Sequence, residues 1–188
     1  RSDKSTKRCL ESFNSNFAQM AERGLVTGAQ IDVCRSYLTI SQDYTSLSGA
    51  EVVFECIVEN LEEKHKVYRL VEESCPELRA ICSVSSSIVP DKLAEGMEKY
   101  GDRIIVTHPF NPAHMVPYFE LCASSRTAPG VVDYVVELLK ELNRKPVVLK
   151  KPTPGFIGNR LQFALLREAL ALVEEGIADP RDIDACLN

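Results

Sequence analysis

The sequence predicts an α/β fold, a mostly parallel sheet covered by helices on both faces, and three observations carry that expectation. Short apolar runs alternate along most of the chain with stretches whose apolar residues recur at helical spacing. The strand candidates are continuously apolar, as strands buried on both faces are. A break rich in proline, Lys150-Lys151-Pro152-Thr153-Pro154-Gly155, then gives way to purely helical patterning.

Leu10, Phe13, Phe17, Met20 and Ala21 share one helical face, so Thr6 to about Gly24 reads as an amphipathic helix. Tyr37–Ile40 is a short strand candidate. Ala50–Val58 is an apolar run broken by Glu51, Glu55 and Cys56, and Leu61–Ser74 follows with Val67, Leu70 and Val71 on one helical face. Ala80–Ser83 repeats the strand, Pro90–Tyr100 the helix and Arg103–Thr107 the strand. Tyr118–Cys122 is a further short strand. Val131–Leu142 is apolar at helical spacing, and Pro146–Leu149 is the last strand. The break after residue 152 marks a domain boundary, separating 1–152 from 153–188. From Phe156 to Gly176 one long helix is too apolar for a free surface helix, and Pro180 begins another.

With 188 residues, 45% hydrophobic and 26% charged, the chain has the composition of an ordinary globular protein. Its net charge of -5, with no basic cluster, argues against a nucleic-acid partner. No apolar run approaches the ~18 residues that span a bilayer, so no membrane partner is expected. Seven cysteines without a CxxC indicate neither a disulfide framework nor a metal site. A reducing compartment, the cytoplasm or an organelle matrix, fits them best.

The chemistry concentrates at His108-Pro109-Phe110-Asn111-Pro112. His108 closes a buried strand, the prolines turn the chain out of the sheet, and Glu120 follows on the next strand. A carboxylate bonded to one imidazole nitrogen fixes the tautomer and leaves the other nitrogen free to take a proton. Read by themselves, the other candidates are plainer. Ser86 lies in a run of serines suited to a turn, with Ser85 and Ser87 as alternatives. Lys64 is one exposed lysine among several on its helix. Asn159 suits a helix start, and His65 and His114 suit the surface.

Four segments in order resemble the 3-hydroxyacyl-CoA dehydrogenase family, including its lambda-crystallin/gulonate-dehydrogenase branch and the related carnitine dehydrogenases. They are Val58-Glu59-Asn60 with Lys64, Ser83-Val84-Ser85-Ser86-Ser87, His108 to Pro112 with Glu120, and Pro154-Gly155-Phe156-Ile157-Gly158-Asn159-Arg160. The resemblance implies a Rossmann-like, doubly wound sheet over 1–152 that binds NAD and is incomplete at its N-terminus. The first helices of an all-α substrate and dimerisation domain follow over 153–188. It implies NAD-dependent hydride transfer between an (S)-3-hydroxyacyl-CoA and the 3-ketoacyl-CoA, an activity of fatty acid metabolism, by a protein that forms homodimers. His108 is then the general base and Glu120 its orienting partner. Ser86 and Asn159 hold the substrate oxygen, and Glu59, Lys64, Ser86 and Asn111 face the cofactor.

One family feature has no counterpart. The nine glycines include no GxG, and Gly24 to Gly28 follows a helix rather than a strand. The strand–GxGxxG–helix–strand unit is therefore expected to precede Arg1, and the chain alone is expected to be inactive. Two other readings stand beside the acyl-CoA one. A small 3-hydroxy acid such as gulonate or carnitine would need a cationic clamp, whereas a CoA thioester would need basic residues such as Lys7, Arg8 and Arg23. A non-catalytic, crystallin-like structural protein would not require the His108–Glu120 pair.

Overall fold

Alternation along the two central strands sets the architecture. In β2 (Ala80–Ser83) and β3 (Ile104–Pro109), Ile81, Ile104 and Val106 point to one face, where they meet Tyr68 and Val71 of α3 (Leu61–Ser74) and Leu93 of α4 (Pro90–Ala94). Ala80, Cys82 and Ile105 point to the other, against Val131, Val135 and Leu139 of α5 (Pro129–Glu141). Both faces of the strands are thus covered, which is why their sequences carry no polar alternation. The computed structural model describes residues 3–187, so the junction expected at Arg1-Ser2 lies outside the described residues.

β1 (Val52–Glu55), β2, β3, β4 (Tyr118–Ala123) and β5 (Lys145–Val148) form one sheet in chain order. β1–β2, β2–β3 and β4–β5 are parallel, and β3–β4 is antiparallel. The mostly parallel, helix-covered sheet agrees with the Rossmann-like expectation, and the helical segment after it begins with α6 (Gly158–Glu174) and α7 (Pro180–Leu187).

Five elements differ from the sequence expectation. Tyr37–Ile40 is not a strand, because among the described residues nothing pairs with it; Tyr37 caps α2 (Gly28–Ser36) instead. That helix was not foreseen, although Thr27 and Gln30 form a capping box at its start. The helix expected over Pro90–Tyr100 stops at Ala94, where Glu95 is extended and Gly96 takes a left-handed φ of +72°. Met97 and Tyr100 still reach the core from the loop. α6 begins two residues late, since Gly155 and Phe156 both have positive φ. α1 (Asp3–Glu22) also ends two residues short of the expected limit, and none of its described side chains is buried.

Candidate active site

The antiparallel ladder makes His108 and Glu120 direct neighbours. In the β3–β4 register the two residues face each other across the strands, so twelve positions of sequence collapse to one rung. His108 Nδ1 lies 3.0 Å from Glu120 Oε2, and Glu120 is fully buried. The other carboxylate oxygen, Oε1, accepts the Ile157 and Gly158 amides at 2.8 and 2.9 Å and the Tyr118 hydroxyl at 3.3 Å. A carboxylate only accepts, so Nδ1 carries the imidazole hydrogen and Nε2 keeps its lone pair.

Aromatic rings fix the imidazole plane. Phe110 and Phe156 each stand 5.6 Å from it, centroid to centroid, and Phe156 is buried. A Cβ at Gly158 would come 1.8 Å from Cζ of Phe110, so only glycine lets the first turn of α6 close over that ring. Sequence reasoning gave no role to Phe110, Tyr118, Ile157 or Gly158. The signal was present for two of them, since a Gly-Phe-Ile-Gly run after a proline marks a backbone that must approach something closely.

A cleft of about 150 Å³ opens beside His108 and is lined by Phe110, Asn111, Asn159 and Gln162. Asn159 and Gln162 also line a larger cleft of about 540 Å³ that reaches Ser86 and Ser87. Asn159, on the first turn of α6, therefore stands between the His108 side and the serine side. The three serines separate by their bonds. Ser85 Oγ donates to Glu59 at 2.6 Å and Ser87 Oγ at 2.8 Å, whereas the exposed Ser86 hydroxyl forms no hydrogen bond among the described residues.

Glu59 organises that turn. Its Oε1 also accepts the Ser86, Ser87 and Ile88 amides at 3.1, 3.0 and 3.3 Å. Burial opposes its charge, but the Ser85 and Ser87 hydroxyls, the Ser87 amide and the Lys64 ammonium outweigh it and hold the carboxyl down to about 2. Lys64 is not the exposed lysine that its helical position suggests. It is completely buried, with Nζ 2.8 and 2.9 Å from the two oxygens of Glu55 and 3.3 Å from Glu59 Oε2. Asn111 is exposed. His65 is a structural tie, its Nε2 lying 3.1 Å from the Lys92 carbonyl. The side chains of Lys7, Arg8 and Arg23 make no hydrogen bond or ion pair among the described residues, and the three lie on or just beyond α1.

The residues present suit the nicotinamide and ribose half of a dinucleotide. The Glu59 carboxylate, one-third exposed, can accept ribose hydroxyls, and Asn111 and Ser86 offer a carboxamide and an unused hydroxyl nearby. Fold and site together define an α/β nucleotide-cofactor domain that carries an acid–base pair at the junction with a helical segment.

Comparison with known proteins makes that class specific. The NAD binding domain of 3-hydroxyacyl-CoA dehydrogenase matches residues 1–152, and the C-terminal domain of the same enzyme matches 155–188. The lambda-crystallin homolog of Rattus norvegicus is 38% identical over 184 residues, covering 95% of this chain and 56% of the relative. The 5-formyl-3-hydroxy-2-methylpyridine 4-carboxylate 5-dehydrogenase of Mesorhizobium japonicum is 38% identical over 143 residues, covering 76% of this chain and 46% of the relative. The crystal structure of (S)-3-hydroxybutyryl-CoA dehydrogenase from Ralstonia eutropha superposes with a TM-score of 0.85 at 28% identity, covering 96% of this chain and 63% of that one. The chain belongs to the 3-hydroxyacyl-CoA dehydrogenase family. It spans about half the length of the curated relatives it matches.

Proposed function

We propose that the protein of which this chain is part is an NAD-dependent oxidoreductase that interconverts a 3-hydroxy substrate and its 3-keto product. The observation that carries this reading is the buried His108–Glu120 contact at 3.0 Å, beside a cleft whose Asn159 also lines the neighbouring cleft that contains Ser86. NAD, when bound, supplies the hydride acceptor. His108 takes the hydroxyl proton on Nε2. Glu120 stays across the ladder from the resulting imidazolium and stabilises it. The Ser86 hydroxyl and the Asn159 carboxamide hold the substrate oxygen as it changes from alcohol to ketone. Glu59 and Asn111 meet the cofactor, and Lys64, being buried, acts through Glu59. The rings of Phe110 and Phe156 keep water from the imidazole plane.

The substrate is proposed to be an (S)-3-hydroxyacyl-CoA, as the family description and the Ralstonia neighbour support. A small 3-hydroxy acid is the second reading. It is favoured by the amide-lined cleft beside His108 and by the small carboxylate named for the Mesorhizobium relative. A cytoplasmic homodimer is the proposed working form: the seven free cysteines suit a reducing compartment, and the dimer follows from the family resemblance alone. The test is turnover by the whole protein on 3-hydroxybutyryl-CoA, gulonate and carnitine side by side. Saturable NAD reduction with one of them, abolished by His108→Gln, is expected. No reduction with any of the three would overturn the reading.

A further inference from the structure

Glu55 is a buried carboxylate that the proposed chemistry does not use, and it is unusually well supplied with donors. Its Oε1 accepts the Ile57 amide at 2.8 Å, its Oε2 accepts the Tyr68 and Ser83 hydroxyls at 2.8 and 2.7 Å, and Lys64 bridges both oxygens. These donors come from α3, from β2 and from the loop after β1. The plain account is a buried ion pair that clamps α3 onto the sheet. Such pairs are poor stabilisers, because the cost of desolvating both charges roughly cancels their attraction, and apolar replacements are often as stable. The charges of the cluster give the pair a second purpose.

Two carboxylates share one ammonium here. Lys64 serves Glu55 at 2.8 Å and Glu59 at 3.3 Å, so the three side chains together carry one net negative charge. Glu55 is buried and saturated, while Glu59 is the member with a third of its side chain exposed. Without Glu55, Lys64 would neutralise Glu59; with it, the excess charge stays at the rim. That rim adjoins the proposed site, since Glu59 accepts the backbone amide of Ser86, and Ser86 lines the larger cleft together with Asn159.

We propose that Glu55 is a positioning residue: by neutralising Lys64 it leaves Glu59 with a net negative charge beside the nicotinamide site, and so favours the oxidised cofactor over the reduced one. The nicotinamide ring is cationic in NAD+ and neutral in NADH, so one fixed negative charge nearby separates their affinities. This inference rests on the proposed use of NAD at Glu59.

The test measures NAD+ and NADH affinities of the whole protein by calorimetry, in the wild type and two variants. Glu55→Gln removes one negative charge and brings the cluster to zero. The NAD+ to NADH affinity ratio should fall by about tenfold, the order expected of a unit charge roughly 10 Å away across an effective dielectric of about 20. The double variant Glu55→Leu/Lys64→Met removes the pair but keeps the net charge at minus one on Glu59. It should fold, and its ratio should stay near the wild-type value. Equal losses for both cofactors in Glu55→Gln, or a low ratio in the double variant, would show a clamp alone and overturn the inference. Wild-type protein that binds neither cofactor would instead overturn the functional reading on which the inference stands.

Discussion

Phe110 fills the space that a side chain on Gly158 would need, and so links the loop after the histidine strand to the first turn of α6. A Cβ at 158 would approach three atoms of the ring within 3 Å. Gly158→Ala should therefore push the ring off His108 and cost about 1–3 kcal/mol, as overpacking of close-fitted sites does. In a Phe110→Leu background the same substitution should cost much less. Thermal unfolding of the four proteins checks this, and equal costs in both backgrounds would separate the two residues.

His108 and Glu120 should behave as one unit. In the whole protein, His108→Gln removes the base and should lower kcat by about 10²–10⁴-fold, the usual range for general-base catalysis. Glu120→Gln keeps the shape but loses the charge that the imidazolium needs. Both should harm turnover more than NAD binding. Because both act through one imidazole, the double variant should be far less impaired than the product of the single effects. Fully multiplicative losses would mean independent roles.

The serine run offers a sharper comparison. Ser86→Ala should lower kcat while leaving the free energy of unfolding within about 0.5 kcal/mol of wild type, as for an exposed side chain with no structural bond. Ser85→Ala removes a bond to Glu59 at 2.6 Å and should lower stability by about 1.5–3 kcal/mol, the range for a hydrogen bond to a charged group. The reverse pattern would place the substrate contact at the wrong serine.

Acid should reveal Glu59. Its carboxyl is held down to about 2, below the ordinary carboxylate value of 4.5, so its stabilisation is fully present above about pH 4.5 and is lost as pH falls toward 2. Glu59→Gln should be less stable than wild type at neutral pH, and the gap should narrow through that window. Denaturant midpoints at pH 7, 4 and 3 would show it, and a gap constant with pH would mean the carboxylate contributes no charge-dependent stability.

Much of this site was legible because its chemistry is local or repeats along the strands. His108 and Glu120 sit on short strands of clear apolar pattern, and the turn between them leaves only one sensible pairing. Other parts depend on contacts that a pattern cannot carry. The helical position of Lys64 looks exposed, and only the placement of Glu55 beneath it explains its burial. The three serines are indistinguishable as letters; it is Glu59, reaching across from another loop, that takes two of them and leaves Ser86. The missing strand at Tyr37–Ile40 has a similar cause, since a strand is defined by its neighbour. The early stop of α4 was readable at Gly96, but the hydrophobic spacing of Met97 and Tyr100 outweighed it.

The position of Glu120 has a wider consequence. One of its oxygens faces His108 while the other is held by two amides at the threshold of α6, so a single rigid carboxylate reports the seating of the helical segment to the imidazole. Lifting that helix would free the carboxylate, let the ring turn, and remove Asn159 from the cleft in the same motion. The arrangement has the form of an interlock: the His108 imidazole keeps its carboxylate partner only while the start of α6 stays seated against the sheet.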